Sequence, residues 1–294
     1  MDFSASLDSF PRAGETVKAK SVLLGCGGKG ANQAAAVGKL GGKCAMIGKV
    51  GSDAFGERMK ENLRSFGVDT SYISATDCPS GTAQIWVHNG NNRIVVDGGA
   101  NDRLTTEDID EGLKSAKSGD ILIVQLEVPP KAVSHALKAG RRKGMVTILN
   151  PAPASPLTAA DYENSDVIIP NETETKILTG VMPDCEVNLA LAAKKLKDMG
   201  ARNIVITLGS KGSAVIVGNN ITLLPARKVK AVDTTGAGDT FIGAAAVKLD
   251  NGCNLISAAE FATVASAIKV TRKGATTAIP TIDEVEKAVS EGKI

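Results

Sequence analysis

The spacing of apolar and polar positions predicts a chain in which β-strands and α-helices alternate. In the second half, apolar runs of strand length are separated by stretches with helical periodicity, and each run is followed by polar or turn residues. The predicted strands cover residues 121–126, 145–149, 167–170 and 203–208. Because strands that alternate with helices form parallel sheets covered on both faces, this pattern predicts an α/β fold with a mostly parallel sheet.

The first hundred residues combine this alternation with strands that have no helix between them. Residues 1–7 and 16–24 alternate as strands, and residues 82–87 and 93–96 form a predicted hairpin with its turn at residues 89–92. A strand, a helix and a strand are predicted between these two pairs, at residues 44–50, 54–66 and 68–74. We therefore expect a small β-sheet layer, drawn from about residues 3–22 and 80–98. It would lie over one α/β body that contains the rest of the 294 residues.

The composition is that of a globular chain with a sizeable core, since 43% of residues are apolar and 22% are charged. The formal net charge is only +2, so we expect no nucleic-acid and no membrane partner, and any anionic ligand would be small. The five cysteines are scattered without C-x-x-C spacing, and no signal-peptide pattern is visible at the start. Both features favour a cytoplasmic protein.

A turn of small residues at positions 233–241 has the layout of an anion site. Residues 228–232 before it alternate like a strand, and an apolar helix follows, so Gly236 and Gly238 fall where backbone N–H groups are free. Asp239 lies in the first turn of that helix, where its carboxylate can accept a hydroxyl proton beside a bound phosphoryl group. The alternative is that Asp239 only caps its helix.

A second glycine-rich turn, residues 25–33, precedes an alanine-rich helix that runs to Leu40. It lacks the Gly-Lys-Ser/Thr ending of a P-loop, and its position does not match a dinucleotide fingerprint after the first strand of a βαβ unit. Lys29 and Asn32 instead offer polar groups to a cleft lined by backbone. This arrangement suits a polyhydroxylated ligand.

Polar residues follow the four predicted strands of the second half, at the sheet edge where open α/β sheets bind ligands. They are Glu127, residues 150–153, residues 171–174 and residues 209–212. Each has a simpler alternative: a helix cap at Asn171, acidic side chains near a helix start at Glu172 and Glu174, and a plain turn at 209–212.

The last part of the chain is predicted to be helical from Asp239 to Val270, with a loop at 271–277 and a final helix at 281–289. If Asp233 and Thr235 lie against the carbonyls of residues 269–278, they form an oxygen-lined pocket for a hard cation.

Six segments together resemble the ribokinase-type carbohydrate kinases, and the resemblance extends over nearly the whole chain. These segments are residues 27–34, 150–153, 170–174, 207–212, 233–241 and 271–275. The resemblance implies a three-layer α/β/α sandwich with a small β-sheet lid. It implies transfer of a phosphoryl group from ATP to the primary (5-) hydroxyl of D-ribose. It also implies Mg²⁺ bound with ATP, potassium as an activating cation, and a homodimer formed through the lid.

The same resemblance assigns roles to individual positions. Asp239 is the expected catalytic base, and the N–H groups of Gly236, Ala237, Gly238 and Asp239 are the expected anion hole. The expected sugar ligands are Asp2, Gly28, Lys29, Gly30, Ala31, Asn32, Glu127 and Asp239. The expected ATP ligands are Asn171, Thr207, Leu208, Gly209, Ser210, Lys211, Gly212, Gly238, Asp239 and Thr263. The expected potassium ligands are Asp233, Thr235, Lys269, Arg272, Gly274 and Ala278.

Two alternatives stay open: a kinase for deoxyribose or another sugar, and a non-catalytic sugar- or nucleotide-binding protein on the same fold. In the family, a strand that ends one residue before the position of Met1 precedes the aspartate that matches Asp2. We therefore expect this chain to lack one strand of the main sheet, and to be less stable and less active than a form that has it.

Overall fold

A computed structural model describes residues 1–89 and 91–291. Its strands are β1 (Asp2–Ser6), β2 (Ser21–Gly25), β3 (Gly48–Gly51), β4 (Ile73–Thr76), β5 (Thr82–His88), β6 (Asn91–Asp97), β7 (Ile121–Val124), β8 (Val146–Leu149), β9 (Val167–Ile168), β10 (Asn203–Thr207), β11 (Gly212–Val217) and β12 (Asn220–Pro225). Its α-helices are α1 (Lys29–Lys39), α2 (Ala54–Ser65), α3 (Thr106–Gly112), α4 (Pro130–Arg142), α5 (Ala159–Glu163), α6 (Glu172–Thr179), α7 (Glu186–Asp198), α8 (Ala237–Asp250), α9 (Leu255–Val270) and α10 (Ile282–Glu291). Within these ranges, no helix has both the length and the apolar content to cross a membrane.

The central sheet has six strands in the order β12-β11-β10-β9-β8-β7. Strands β7 to β10 are parallel, and β11 and β12 continue the sheet in antiparallel pairing. Ile204, Val205 and Ile206 in β10 are at most 1% exposed, because both faces of the strand are covered. The predicted α/β fold with a mostly parallel sheet is confirmed.

Helices cover both faces of the sheet, which gives the three layers implied by the family resemblance. One face packs on α1, α8, α9 and α10, and the other on α3, α4, α5 and α7. Neighbouring residues of one strand belong to opposite cores: Val205 lies in the first, and Ile204 in the second.

Helices α1 and α8 approach each other closely, because Gly243 has no side chain. A Cβ atom at Gly243 would lie 2.6 Å from the Cβ of Ala36 and 2.9 Å from the carbonyl oxygen of Gln33. This contact brings the amino-terminal turns of the two helices together, and both glycine-rich loops of the sequence end there.

A separate four-stranded sheet, in the order β2-β1-β5-β6, lies over the body and is called the lid below. Strands β1 and β5 are parallel to each other, and the outer strands β2 and β6 are antiparallel to them. The predicted hairpin is present as β5 and β6; Gly90, in its predicted turn, lies outside the described residues.

The parallel pair β3–β4 is separate from the central sheet. A cavity of about 170 Å³ lies between the two, lined by residues 44–47 on one side and 121–124 on the other. Strand β7 is therefore an edge strand of the central sheet, and this edge faces the cavity.

The strands predicted at residues 16–24, 44–50 and 68–74 begin four or five residues later than predicted, as β2, β3 and β4. Two further element predictions were wrong. Residues 228–232 form no strand, because their alternating side chains lie along a surface cleft and the backbone has no strand edge beside it. The predicted helix from Asp239 to Val270 is two helices, since Gly252 takes a left-handed conformation with φ 80° and Asn254 caps α9.

Candidate active site

Asp239 lies in the first turn of α8, and Gly236 makes the sharp entry to that helix. Gly236 has φ 75°, a left-handed conformation that favours glycine. The Ala237 N–H donates to the Thr234 carbonyl at 3.1 Å and so closes the turn. Within the described residues, the N–H groups of Gly236, Gly238 and Asp239 make no hydrogen bond. These three groups therefore form the free donor set, and the predicted contribution of Ala237 is already used inside the turn.

Two amide side chains from the start of α1 hold the Asp239 carboxylate. Asn32 Nδ2 donates to Oδ2 at 2.9 Å, and Gln33 Nε2 donates to Oδ1 at 3.0 Å. Asp239 is only 9% exposed, and this burial raises the pKa of its carboxyl group, against the lowering effect of the Gln33 and Asn32 hydrogen bonds. Asp239 is thus a desolvated carboxylate in a fixed orientation, and α8 has no side-chain capping hydrogen bond, so the capping alternative is wrong.

The Asn32 side chain leaves one polar atom without a partner. Its Oδ1 is buried and accepts no hydrogen bond from any described residue, while its Nδ2 is committed to Asp239. A buried acceptor without a donor is costly, so this oxygen is suited to accept a hydroxyl group of a ligand.

Gln33 belongs to a buried chain of amide groups that sequence reasoning did not assign to the site. Gln125 Nε2 donates to Gln33 Oε1 at 2.6 Å, and Gln33 Nε2 also donates to Asn150 Oδ1 at 3.1 Å. Asn150 Nδ2 in turn donates to the Ile169 carbonyl at 2.9 Å. The Asp239 carboxylate is therefore connected to the ends of three strands of the central sheet. In the sequence, these two residues are marked only by their positions in the glycine-rich turn 25–33, for Gln33, and in the segment 150–153, for Asn150.

A cavity of about 440 Å³ lies between the glycine loop and the lid. The lining includes Asp2, Gly28, Gly30, Ala31 and Glu127, together with β5 and β6 residues of the lid. Burial raises the pKa values of Asp2 and Glu127. Five of the predicted sugar ligands therefore meet in one cavity.

The glycine loop fits this cavity because its backbone passes directly beside carboxylates. A Cβ atom at Gly27 would overlap the Asp2 carboxylate, and Gly28 has φ 96° at the start of α1. The N–H of Lys29 donates to Glu127 Oε2 at 2.7 Å. The loop thereby binds the Glu127 carboxylate and leaves room for the Asp2 carboxylate at the cavity wall.

Lys29 lies in a smaller chamber next to the sugar cavity. This chamber, about 160 Å³, is lined by Lys29, Glu174 and the turn from Gly236 to Asp239, among others. The positive charge of Lys29 lowers the pKa values of Glu127, Glu174 and Asp239, so its ammonium group is close to all three carboxylates. Its surroundings suit contact with a phosphoryl group better than contact with a sugar hydroxyl.

Asn171 and Glu174 form a capping box at the start of α6. Asn171 Oδ1 accepts the N–H of Glu174 at 2.8 Å, and Glu174 Oε2 accepts the N–H of Asn171 at the same distance. The capping alternative is therefore correct for both residues. Glu174 is 8% exposed and also lines the chamber, a role that its capping position in the sequence did not indicate.

A large cleft of about 950 Å³ adjoins the chamber, with which it shares Asn171, Thr207 and Gly238. The predicted nucleotide ligands Gly209, Ser210, Gly212 and Thr263 also line it. Two other predicted ligands point elsewhere. Leu208 is packed in the core, and the ammonium group of Lys211 donates to the Asp184 carbonyl at 3.1 Å.

The residues predicted to bind a monovalent cation are engaged in other contacts. The two carboxylate oxygens of Asp233 accept the N–H groups of Thr235 and Gly274, each at 2.9 Å. The Asp233 carbonyl accepts a hydrogen bond from the ammonium group of Lys269 at 3.0 Å.

Two further predicted cation ligands are similarly unsuited, whereas the carbonyl oxygens of Thr235, Arg272 and Gly274 accept no hydrogen bond among the described residues. The Lys269 carbonyl accepts the N–H of Arg272 at 3.1 Å, and Ala278 is buried without a side-chain oxygen. A pocket of free oxygens is what a hard cation requires, and a fully buried ammonium group lies here instead. The expected potassium site does not fit these residues.

Comparison with known proteins identifies the family. The model of the pfkB family carbohydrate kinases matches residues 1–282. A deoxyribokinase of Salmonella typhi is 39% identical over 293 residues, covering 99% of this chain and 96% of the relative. A ribokinase of Bacillus subtilis is 39% identical over 291 residues, with the same two coverages.

Solved structures agree with the family model. The structure of Arabidopsis thaliana ribokinase complexed with ribose and ATP superposes with a TM-score of 0.88 at 31% identity, over 97% of this chain and 94% of that one. The chain therefore belongs to the pfkB family of carbohydrate kinases and is an ATP-dependent sugar kinase of the ribokinase type.

Proposed function

We propose that this kinase transfers the γ-phosphoryl group of ATP to the primary (5-) hydroxyl of D-ribose, with Asp239 as the catalytic base. The observation that carries the proposal is the position of the Asp239 carboxylate. It is held by Asn32 and Gln33 in the lining of the chamber, beside the free N–H groups of the α8 turn, and it is near enough to Glu127 of the sugar cavity for its charge to raise the pKa of Glu127. The Arabidopsis relative was solved with ribose and ATP, which supports the same pair of substrates here.

In this proposal Asp239 orients the sugar hydroxyl and takes its proton. A carboxyl group has an ordinary pKa of about 3.9, far below that of a hydroxyl, so proton transfer is late, as the hydroxyl oxygen bonds to phosphorus. Burial raises the pKa of Asp239 and so makes it a better base than an exposed aspartate.

The charge that develops on the transferred phosphoryl group needs fixed donors more than covalent chemistry. The free N–H groups of Gly236, Gly238 and Asp239 supply such donors, and Lys29 supplies a positive charge from the opposite wall of the chamber. Glu174 is a carboxylate able to hold Mg²⁺ that arrives with ATP, an ion that commonly uses one or two protein carboxylates together with phosphates and water. When bound, the ion would neutralise phosphate charge.

The sugar cavity also supports a hydroxyl-rich ligand. Asp2 and Glu127 are half-buried acceptors in its wall, and Asn32 Oδ1 has no donor among the described residues. The lid strands form the opposite wall, so a bound sugar is shielded from water that would otherwise compete as the acceptor.

The second candidate substrate is 2-deoxyribose, because the deoxyribokinase relative is as similar to this chain as the ribokinase relative. The two sugars differ by one hydroxyl, and a site built to hydrogen-bond a hydroxyl strongly rejects the analogue that lacks it.

A coupled assay of ADP release across a panel of pentoses and hexoses tests the substrate. We expect the highest kcat/KM with ribose, and a value for 2-deoxyribose that is lower by about tenfold or more. A higher kcat/KM for 2-deoxyribose would establish the second candidate. ATP turnover that no sugar stimulates would reject both in favour of a binding protein.

We also propose that the protein is a cytoplasmic homodimer joined through its lids. The outer lid strands carry six exposed apolar residues, 42–70% exposed: Val22, Leu23, Leu24, Ile94, Val95 and Val96. Exposed apolar edge strands favour association with another strand edge. All five cysteines are free thiols, which suits a reducing compartment.

A further inference from the structure

Lys269 is a charged residue placed entirely inside the protein. It lies in the last turn of α9 and is 0% exposed. Its ammonium group donates a hydrogen bond to the Asp233 carbonyl at 3.0 Å. A buried charge is retained only where partners compensate for lost hydration, so the surroundings of Lys269 are expected to be negative.

The compensating negative groups lie in the turn before α8, at Asp233 and Asp239. Burial lowers the pKa of Lys269, whereas the negative charges of Asp233 and Asp239 raise it. The effect is mutual, because the charge of Lys269 lowers the pKa values of Asp233 and Asp239. The ammonium group therefore lies beneath the turn that joins Asp233 to Asp239.

Asp233 connects this ammonium group to the free donors of the turn. Its carboxylate receives the N–H of Thr235 inside the turn and the N–H of Gly274 in the loop after α9. Its carbonyl oxygen accepts a hydrogen bond from the ammonium group of Lys269. One residue thus ties together the turn, the following loop and the buried positive charge.

A monovalent cation bound at Asp233 would be next to a fixed positive charge of the same sign. The two would repel each other strongly in a buried environment, and they would compete for the same oxygen atoms. The contacts on Asp233 leave its carboxylate committed to N–H groups.

We propose that the ammonium group of Lys269 is a built-in cation that replaces the monovalent cation expected from the family resemblance, so that this kinase needs no potassium. Its charge stabilises the turn that carries the free N–H groups and adds positive potential behind the transferred phosphoryl group. This inference rests on the proposed function, since the turn is taken as the anion hole. Lys269 touches neither substrate and is a positioning residue.

The test compares the wild-type protein, Lys269→Met and Lys269→Ala in potassium chloride, sodium chloride and choline chloride at equal ionic strength. Methionine keeps most of the side-chain volume without the charge, whereas alanine leaves space for an ion. The matched control is Lys195→Met in α7, because the ammonium group of Lys195 also donates to a carbonyl, that of Thr179 at 2.8 Å, on another element of the fold.

We expect the wild-type kcat to agree within about twofold among the three salts. Lys269→Met should lower kcat by about ten- to a hundredfold in every salt, somewhat less than the loss of a direct anion-hole donor. Lys269→Ala should have a low kcat in choline chloride, and potassium chloride should raise that kcat at least tenfold. Lys195→Met should behave as the wild type.

Thermal unfolding gives a readout independent of catalysis. Potassium should raise the Tm of Lys269→Ala above its value in choline, and it should leave the Tm of the wild type unchanged.

Three results would overturn the proposal: activation of the wild type by potassium of tenfold or more over choline, wild-type kcat in Lys269→Met, or no effect of potassium on either kcat or Tm of Lys269→Ala. If the wild type phosphorylates no sugar in any salt, the proposed function has failed instead. The Tm comparison then still decides whether Lys269 takes the place of the cation.

Discussion

At the scale of single residues, the site depends on amide groups that hold a buried carboxylate. The candidate role of Asp239 is predictable from its place after a Gly-x-Gly turn, because local spacing is enough to predict a helix start with free N–H groups. Gln33 and Gln125 were not recognised, because they act through hydrogen bonds between residues that are 92 to 206 positions apart. Tertiary packing determines such hydrogen-bond partners, so a single glutamine in the sequence does not indicate which residues it will contact.

Removing the Gln33 amide should shift the pH dependence of catalysis. Its hydrogen bond lowers the pKa of Asp239, while burial raises it, so in Gln33→Leu the burial effect is less opposed and the pKa rises further. A base with a higher pKa loses its proton only at higher pH. The acid limb of a kcat profile should therefore move to higher pH in this variant.

The control is Gln84→Leu, which makes the same change at an exposed lid position. KM for ATP should change little, because Gln33 lies away from the nucleotide cleft. An acid limb that is identical in wild type and Gln33→Leu would mean that Gln33 does not tune the base.

At the scale of elements, most strands and helices were predictable and their ends were less so. The runs that became β7 to β10 are long enough and apolar enough to indicate buried strands. Residues 228–232 alternate equally well but form no strand, since alternation describes a half-exposed surface and does not provide a neighbouring edge. The close contact of α1 and α8 at Gly243 could not be predicted, because it depends on which helices pack together.

The loop after α9 is anchored by Glu284, which closes the start of α10. Its carboxylate accepts hydrogen bonds from the Arg272 guanidinium at 2.6 and 3.1 Å and from the Thr281 N–H at 2.8 Å. The Arg272 contacts are the main reason why the pKa of Glu284 falls from 4.5 to about 2. A lowered pKa means that this stabilisation is fully present above about pH 4.5 and is lost as the pH falls through the folded-state value near 2.

Glu284→Gln should therefore lower the free energy of unfolding at pH 7 by about 0.5–1 kcal/mol, a small value because both partners are partly exposed to solvent. Urea unfolding at pH 7 and pH 3 measures it, and the difference from wild type should shrink at pH 3. Glu260→Gln, at an exposed position of α9, serves as the control. A difference that grows toward pH 3 would contradict the assignment.

A separate prediction about stability concerns the cavity between β7 and residues 44–47. Among the described residues, β7 has no neighbouring strand on this side. Met46 and Gln125 line both this cavity and the sugar cavity, and Met1 lines the sugar cavity. A Val/Ile-rich segment of about five residues added before Met1 should pair with this edge and bury apolar surface. For a chain of this size, each kcal/mol gained raises Tm by ~2 °C.

The comparison is with a Gly/Ser-rich extension of equal length, and the measurements are Tm and KM for ribose. The apolar extension should raise Tm and lower KM, because Met1 and Gln125 also line the sugar cavity. Equal Tm and KM values for the two extensions would show that the edge takes up no strand.

At the scale of the whole molecule, the lid and the body contribute different parts of the proposed site. The body contains the proposed base, the free N–H groups and the proposed nucleotide cleft, and β5 and β6 of the lid line the proposed sugar cavity. The sequence indicated the lid by its strands without intervening helices. It could not show how β5 and β6 of the lid meet the glycine loop, because these segments are about fifty residues or more apart in the sequence and tertiary packing brings them to one cavity.

The outer lid strands should also set the oligomeric state. Leu23 in β2 is 70% exposed, and a glutamate there would place charge in the proposed interface between lids. We expect sedimentation to show a dimer for the wild type and a monomer for Leu23→Glu. Val187→Glu is the control, since Val187 is 77% exposed on α7 in the body. A monomeric wild type, or a dimer that Leu23→Glu leaves intact, would contradict the lid interface.

The central claim is that Asp239 takes the proton of the sugar hydroxyl at the start of α8. The most direct test measures kcat for ribose and ATP in wild type and Asp239→Asn, together with the Kd of each substrate. Asparagine keeps the size of the side chain and removes the base. The account predicts that kcat falls by roughly 10²–10⁴, the usual range for a positioned general base, while both Kd values stay within a few fold. A kcat near that of the wild type, with folding and binding intact, would contradict the role of Asp239.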